Sequence, residues 1–202
     1  MGTYEAEDFK FKDPAVRFIE EADAKAIARL FKQNYGEGYI DPEVCDGKWV
    51  KRCVYNDNII GLVIEEEKKV IATATLALDY GDCNYHIAEM GRFAVSPEHK
   101  GRGLGCRLNK ALLEVAGETI DFLFCTARTT HAYIQSLSER YDFSAVGFLP
   151  QYYQVRGERE SFIYYARLLG NGRELRSDNT PQIIPEIATL TRHVLSEMKL
   201  SV

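Results

Sequence analysis

The stretch Tyr85-His-Ile-Ala-Glu-Met-Gly-Arg-Phe-Ala-Val-Ser-Pro-Glu-His-Lys-Gly-Arg-Gly-Leu-Gly105 decides how the chain folds. Its first half, Tyr85 to Ser96, reads as a strand and is halted by Pro97, which cannot donate to a sheet ladder. Its second half, Lys100 to Gly105, is glycine-rich and runs straight into a segment carrying Leu104, Leu108, Leu112 and Val115 on one helical face. A strand, a glycine-rich loop and a helix in this order leave several backbone N–H groups pointing outward at the positive end of the helix dipole. That makes an anion site. Gly101, Gly103 and Gly105 let the backbone approach a ligand without Cβ clashes, and Lys100, Arg102 and Arg107 add positive charge. Two nucleotide-binding patterns do not fit. There is no G-x-x-x-x-G-K-[ST], and Cys106 stands where a dinucleotide fingerprint needs its third glycine.

Working outward towards the N-terminus, residues 1–14 read as a polar tail, Ala15 to Glu20 as a strand, and the segment from Ala22 as an amphipathic helix with Ile27, Leu30, Phe31 and Asn34/Tyr35 at helical spacing. A second helix is expected from Asp41 to Tyr55, opened by Asp41-Pro42, striped by Trp49, Val50, Cys53 and Val54, and weakened at Gly47. Ile59–Ile64 and Val70–Leu78 flank Glu65-Glu-Glu-Lys-Lys69 as a hairpin, and Gly81-Asp82 turns the chain into the central strand. Beyond the glycine loop come a strand at Asp121–Thr126, a helix at Thr130–Tyr141, and strands at Val146–Val155 and Ser161–Leu169. A polar linker from Gly170 leads to an amphipathic helix at Pro185–Leu200, striped by Ile187, Leu190, Val194 and Met198. That stripe either packs on the parent domain or forms a homodimer contact.

With 202 residues, 46% of them hydrophobic, the chain can bury one sizeable core. Its 25 Lys and Arg stand against 30 Asp and Glu, a formal net charge of −5, which argues against a nucleic-acid partner held by phosphate charge alone. No apolar stretch is long enough for a signal peptide or a membrane span, so a cytoplasmic protein without membrane partners is expected. The five cysteines form no C-x-x-C pair and the four histidines are scattered, which suits reduced thiols and no metal site.

From Arg92 to Gly105 the sequence resembles the central motif of the GNAT acyl-CoA N-acyltransferase superfamily, [Arg/Gln]-x-x-Gly-x-[Gly/Ala]. Lys100, Gly103 and Gly105 fill its three defined places, Lys100 being a departure from Arg or Gln. The order of elements is similar over residues 15–169, leaving residues 170–202 as a C-terminal helical extension. The resemblance implies an α/β (α+β) fold, with a mixed twisted sheet splayed after its fourth strand and flanked by helices. It implies acetyl-CoA as acyl donor, its pantetheine arm laid in the gap against the backbone of Phe93, Ala94 and Val95. The pyrophosphate then rests on the loop Lys100, Gly101, Arg102, Gly103, Leu104, Gly105 and Cys106. His131 sits where relatives often carry an Asn that touches the cofactor, and its chemistry allows base, donor or cap. An arm bearing amides suits an unpaired strand edge.

The implied reaction is direct transfer of the acetyl group to a primary amine in a ternary complex, the acceptor being a small-molecule or peptide amine that the sequence does not name. A lysine-like amine costs about 4 to 5 kcal/mol to hold neutral at pH 7, so a base or a water chain is needed. Glu89 has the spacing from Ala94-Val95 that resembles the catalytic glutamate of the histone-acetylating branch. In a regular strand its side chain shares a face with Gly91 and Phe93. It acts as base, or it pairs with Arg92 or Arg128. A backbone N–H near Val95 is the expected donor to the developing oxyanion. In Leu137-Ser-Glu-Arg-Tyr-Asp-Phe143, similar to the family's Leu-Tyr-x-x-x-Gly-Phe, Ser138 occupies the tyrosine place. Tyr141 or Tyr133 could supply the missing acid, although a CoA thiol with a pKa near that of Cys needs no strong one. Tyr35, Tyr39, Trp49, Tyr152, Tyr153 and Tyr164 are candidates to line an acceptor groove. The missing tyrosine also motivates an alternative, a non-catalytic acyl-CoA-binding sensor or partner-binding module. An acyltransferase with a longer acyl donor is the other.

Overall fold

In the computed structural model, which describes residues 9–36, 39, 42–45, 47–55, 58–78, 86–117, 119–130, 132–155, 157–175, 177 and 182–200, the apolar runs form one sheet. Its strands are Val16–Phe18 (β1), Ile59–Glu66 (β2), Lys69–Ala77 (β3), Ile87–Val95 (β4), Phe122–Arg128 (β5), Ser144–Val155 (β6) and Glu158–Leu168 (β7). They lie in the order β1-β2-β3-β4-β5-β7-β6. Every neighbouring pair is antiparallel except β4 and β5, which are parallel. The helices are Ala24–Tyr35 (α1), Lys48–Tyr55 (α2), Leu104–Ala116 (α3), Tyr133–Arg140 (α4) and Ala188–Glu197 (α5). No helix among the described residues is long and apolar enough to cross a membrane.

The two faces of the sheet carry separate cores, because the strands bury side chains on both sides. Leu104, Leu108, Leu112 and Val115 of α3 pack with Leu62, Ile64, Ala72, Ala74, Leu76, Ala88 and Met90. On the other face Ile27, Leu30 and Phe31 of α1 and Trp49 and Val50 of α2 meet Ile19, Val63 and Ala94. β4 therefore contributes to both cores, and a bulge determines how. Gly91 pairs with Thr75 and Ala94 with Thr73, so Arg92 and Phe93 stand opposite Ala74 alone, and Arg92 takes φ +53°. The extra residue flips the alternation. Phe93 and Val95 join Ala88 and Met90 in the α3-side core, while Ala94 turns to α1. This corrects the regular-strand reading: Glu89 shares a face with Gly91, whose added Cβ would lie 3.9 Å from the Glu89 carboxyl carbon, but not with Phe93.

Other boundaries move for local reasons. The expected helix from Asp41 is a 3₁₀ turn at Pro42–Cys45 and then α2, broken where Gly47 adopts φ +78°; Asp41 and the Gly81-Asp82 turn lie outside the described residues. β5 runs on to Arg128, and Thr129 N–H still donates to Ser161 O at 3.1 Å, so α4 starts at Tyr133 rather than Thr130. β6 and β7 begin earlier than expected, at Ser144 and Glu158, and pair with each other across irregular register. The N-terminal segment is less polar in place than in composition. Phe9 meets the Phe18 ring edge-on and Phe11 meets it at a tilt, and both pack on the α3-side core. At the other end, Ser144 Oγ donates to Glu197 O at 3.0 Å from β6 to α5, while Ile187 and Leu190 of the C-terminal stripe remain 44% and 56% exposed.

One ionic cluster ties β1 to β2 and to the turn that precedes α1. Arg17 donates to both Asp23 oxygens, at 2.7 and 2.9 Å, and to Glu65 on β2 from Nε at 3.0 Å, while Asp23 also accepts the Glu20 N–H at 2.8 Å. The Asp23 side chain is only 7% exposed. Arg17→Ala strands that carboxylate without its fork, and the expected loss of stability is about 2–3 kcal/mol. A urea titration should show a lower midpoint at unchanged slope, with Arg17→Lys recovering less than half because an ammonium cannot bridge both acids in this geometry. A midpoint unmoved by Arg17→Ala would show that water replaces the fork without cost.

Candidate functional site

β4 and β5 part almost as soon as they meet. Only Ile87–Glu89 pairs with Phe122–Phe124, although β3 follows β4 as far as Val95 and β7 follows β5 as far as Arg128. Past Glu89 the sheet is split, and one edge of β4 faces the gap. The ladder fixes which groups lie on that edge. Ser96 N–H donates to Ile71 O at 2.8 Å, so Ser96 and Ala94 bond to β3, and alternation turns the N–H and C=O of Val95 to the gap. Of the three residues expected to offer backbone there, Ala94 is thus committed to Thr73.

The carbonyls on the gap side are met from α1. Asn34 Nδ2 donates to Val95 O at 2.9 Å and to Leu30 O at 2.8 Å, and Tyr35 Oη donates to Phe93 O at 2.9 Å. Burial pushes the Tyr35 phenol up, so it keeps its proton for this bond. Both residues looked like the tail of an apolar stripe in the sequence. An asparagine at a stripe position was the available signal, because a polar group turned inward needs a partner.

At the fork itself stands Glu89, its side chain 17% exposed and 3.9 Å from Arg92 Nη1. Arg128, the other arginine considered as its partner, pairs instead with Glu160 on β7. Register puts Glu89 beside Phe124, which stacks on Tyr164 at 5.1 Å between ring centres. Further along β6 and β7, Tyr153 packs on Phe162 at 4.8 Å and on Tyr152 at 4.5 Å. Burial foremost, then the charge of Glu89, pushes the Tyr164 phenol up to about 12. Tyr153 is raised in the same direction by burial, by Tyr152 and by Glu89. The carboxyl group thus looks onto an aromatic wall whose hydroxyls hold their protons at neutral pH.

On the α3 side of the fork lies the glycine loop. Gly101 and Gly103 take φ +80° and +75°, and a Cβ on either would meet no atom within 4 Å. Gly103 caps α3, whose first helical bond runs from Arg107 N–H to Gly103 O. The N–H groups of Leu104, Gly105 and Cys106 come before that bond and have no acceptor within the helix. Leu104 is buried and anchors the turn, whereas Lys100, Gly101 and Arg102 are exposed. The expected cations are spent elsewhere. Arg102 reaches Glu66 with Nη2 at 2.9 Å, and Arg107 binds Asp13 at 2.6 and 2.9 Å, holding that carboxyl below its usual range. Arg140, which belongs to no recognisable motif, lies with Nη1 3.9 Å from Cys106 Sγ.

The three candidates on and just after α4 separate. Tyr141 Oη donates to Cys106 O at 3.2 Å, and the Tyr133 hydroxyl stands 3.0 Å from where a Cβ on Gly105 would be, so both phenols belong to the loop rather than to Glu89. Ser138 is buried, donates Oγ to Ile134 O at 2.9 Å, and lies 3.5 Å from Cys125 Sγ. Burial pushes that thiol up to about 11. His131 lies outside the described residues.

Comparison with known proteins fits this geometry. The chain is similar in structure to a ribosomal-protein-alanine N-acetyltransferase from Brucella melitensis, at 23% identity and a TM-score of 0.66, over 76% of this chain and 99% of that one. It is also similar to a Salmonella typhimurium protein described as an acetyltransferase and solved with its cofactor acetyl-CoA, at 20% identity, TM-score 0.68, covering 82% and 98%. Mutant forms of a spermidine/spermine N-acetyltransferase from Vibrio cholerae align at 17% identity, TM-score 0.63, covering 80% and 98%. At such identities the likeness is one of fold. No curated protein matches the chain significantly. The sequence model of the Acetyltransferase (GNAT) family matches residues 24–142, from the first residue of α1 to just past α4. That match takes in the fork, Glu89 and the glycine loop, and the chain belongs to the GNAT acetyltransferase family.

Proposed function

We propose that the chain moves an acetyl group from acetyl-CoA directly to a primary amine, with donor and acceptor meeting at the fork between β4 and β5. The observation that carries the reading is the three-residue pairing of these strands, which leaves a backbone edge open beside the glycine loop. The loop supports the fit: the space over Gly101 and Gly103 is clear of protein atoms, as an anion lying on the N–H groups of Leu104, Gly105 and Cys106 requires. Acetyl-CoA, when bound, supplies the acyl group as a thioester with a thiolate as leaving group.

The chain's own residues then have separate tasks. Loop N–H groups and Lys100 hold the pyrophosphate, with Arg140 beside Cys106 at the end of the loop. The Val95 N–H and the second lone pairs of the Phe93 and Val95 carbonyls serve the amide-bearing arm. Glu89 takes the proton of the incoming amine, while Phe124, Tyr153 and Tyr164 exclude water beside it. Tyr141 acts by position, fixing the first turn of α3 through the Cys106 carbonyl. Ser138 donates to Ile134 O and makes a poor acid for the thiolate, which a thiol of ordinary pKa does not need. The same observation favours one second reading, an acyl-CoA-binding module without turnover.

Mass spectrometry of acetylated products over amines, polyamines, amino acids and peptides, with CoA release followed in parallel, separates the two. Transfer by the native chain should fall by about 10² to 10³-fold in Glu89→Gln at unchanged acetyl-CoA affinity. An equal rate in the variant removes Glu89 as base, and acetyl-CoA binding without any product leaves the binding module. Calorimetry gives a further check on the loop. Gly103→Ala, forced into φ +75° and placing a methyl over the anion site, should weaken acetyl-CoA about tenfold or more with the fold retained. An unchanged affinity would take the pyrophosphate off this loop.

A further inference from the structure

The space beside the Glu89 carboxyl group is kept clear by its own strand. A Cβ on Gly91, on the same face of β4, would meet nothing nearer than the Glu89 side chain itself, at 3.9 Å. Leu123, Cys125 and Ala127 of β5 turn into the α3-side core, so Phe124 stands on the face that Glu89 uses, and register sets the two side by side. Phe124 is 5% exposed and lies within 14° of parallel to Tyr164, so the ring within reach of a ligand is the half-buried Tyr164. The charge of Glu89 is felt at the phenols of Tyr164 and Tyr153, which places both rings next to the carboxylate. Tyr152, packed on Tyr153 and 52% exposed, forms the outer lip of the same wall. On the opposite edge of the gap Tyr35 adds another ring, held there by its bond to Phe93 O.

We infer that the acceptor is an arylalkylamine, a single primary amine on a short chain from a flat ring, with the ring on Tyr164 and the amine at Glu89. The inference rests on the proposed acyl transfer and names its substrate class. A flat ring continues the Phe124–Tyr164 stack, and an arriving ammonium group is drawn to one carboxylate and to the faces of the surrounding rings. A site with much ring surface and one charged group to fix orientation suits a small apolar ligand with one polar end. Other amine classes require charges that are engaged already. A polyamine calls for a second carboxylate, and Glu160, on the β7 strand of this wall, accepts Nε and Nη2 of Arg128 and the Thr130 hydroxyl. An amino acid calls for a cation to meet its carboxylate. That same pair holds Arg128, and Arg92 lies 3.9 Å from Glu89.

The test uses the full chain with acetyl-CoA and compares phenethylamine with butylamine, spermidine and a lysine peptide. Phenethylamine should show a kcat/KM about tenfold or more above that of butylamine, the difference lying in KM. Tyr164→Leu should level the two amines, with its acetyl-CoA affinity as the control for folding, whereas Tyr164→Phe should keep the preference because the ring face remains. Equal kcat/KM for the two amines in the native chain overturns the inference, as does a preference for spermidine or the lysine peptide. A preference that survives in folded Tyr164→Leu overturns it as well. Calorimetry of phenethylamine in the presence of CoA separates the inference from the reading beneath it. Binding that Tyr164→Leu abolishes, without transfer to any amine, keeps the aromatic site and rejects acyl transfer; neither binding nor transfer rejects both.

Discussion

A strand in mid-sheet whose partner leaves it after three residues has backbone groups that must be satisfied by something other than a neighbouring strand. β4 is in that position from Met90 onward, and the surrounding structure answers it. β5 is drawn away because β7 holds it along its whole length. The bulge at Arg92–Phe93 keeps β4 bonded to β3 while sending Phe93 and Val95 into the α3-side core. Two of the carbonyls left on the gap are capped by Asn34 and Tyr35. The open strand edge is tolerated because it is short, lies between two halves of a sheet, and is guarded by side chains instead of backbone.

Features set by neighbours in sequence were legible without coordinates. Gly101, Gly103 and Gly105 between a strand and an apolar helical stripe suffice to predict an N-terminal anion site, since the argument needs only local geometry. The bulge was not legible. It depends on how Thr73 and Thr75 count against Gly91 and Ala94, a comparison between two strands that no single strand contains. Hence Glu89 lies on the expected strand but in other company, sharing a face with Gly91 but not with Phe93.

Charge was the other illegible quantity. Arg102 stands in the loop and Arg107 just after it, yet their guanidinium groups are claimed by Glu66, 36 residues away, and Asp13, 94 away. Lys48 and Lys51 of α2 come opposite Lys25, Arg29 and Lys32 of α1, a juxtaposition that neither helix's sequence contains. The C-terminal stripe teaches the same lesson for apolar groups. Its periodicity gave a helix, but periodicity does not say what covers a face, and Ile187 and Leu190 stand in solvent.

Because Asn34 and Tyr35 hang from the last turn of α1 and grip the β4 edge, the helix is a shared part between the two sides of the fork. An arm that takes the second lone pairs of the Phe93 and Val95 carbonyls would share those oxygens with α1, and a ligand that moves α1 would alter how they are shared. Thermodynamic reciprocity then requires that whatever factor the donor imposes on acceptor affinity, the acceptor imposes on the donor. Two hydrogen bonds of 2.9 Å thus join the last turn of α1 and the open edge of β4 into one unit, through which any such coupling would pass.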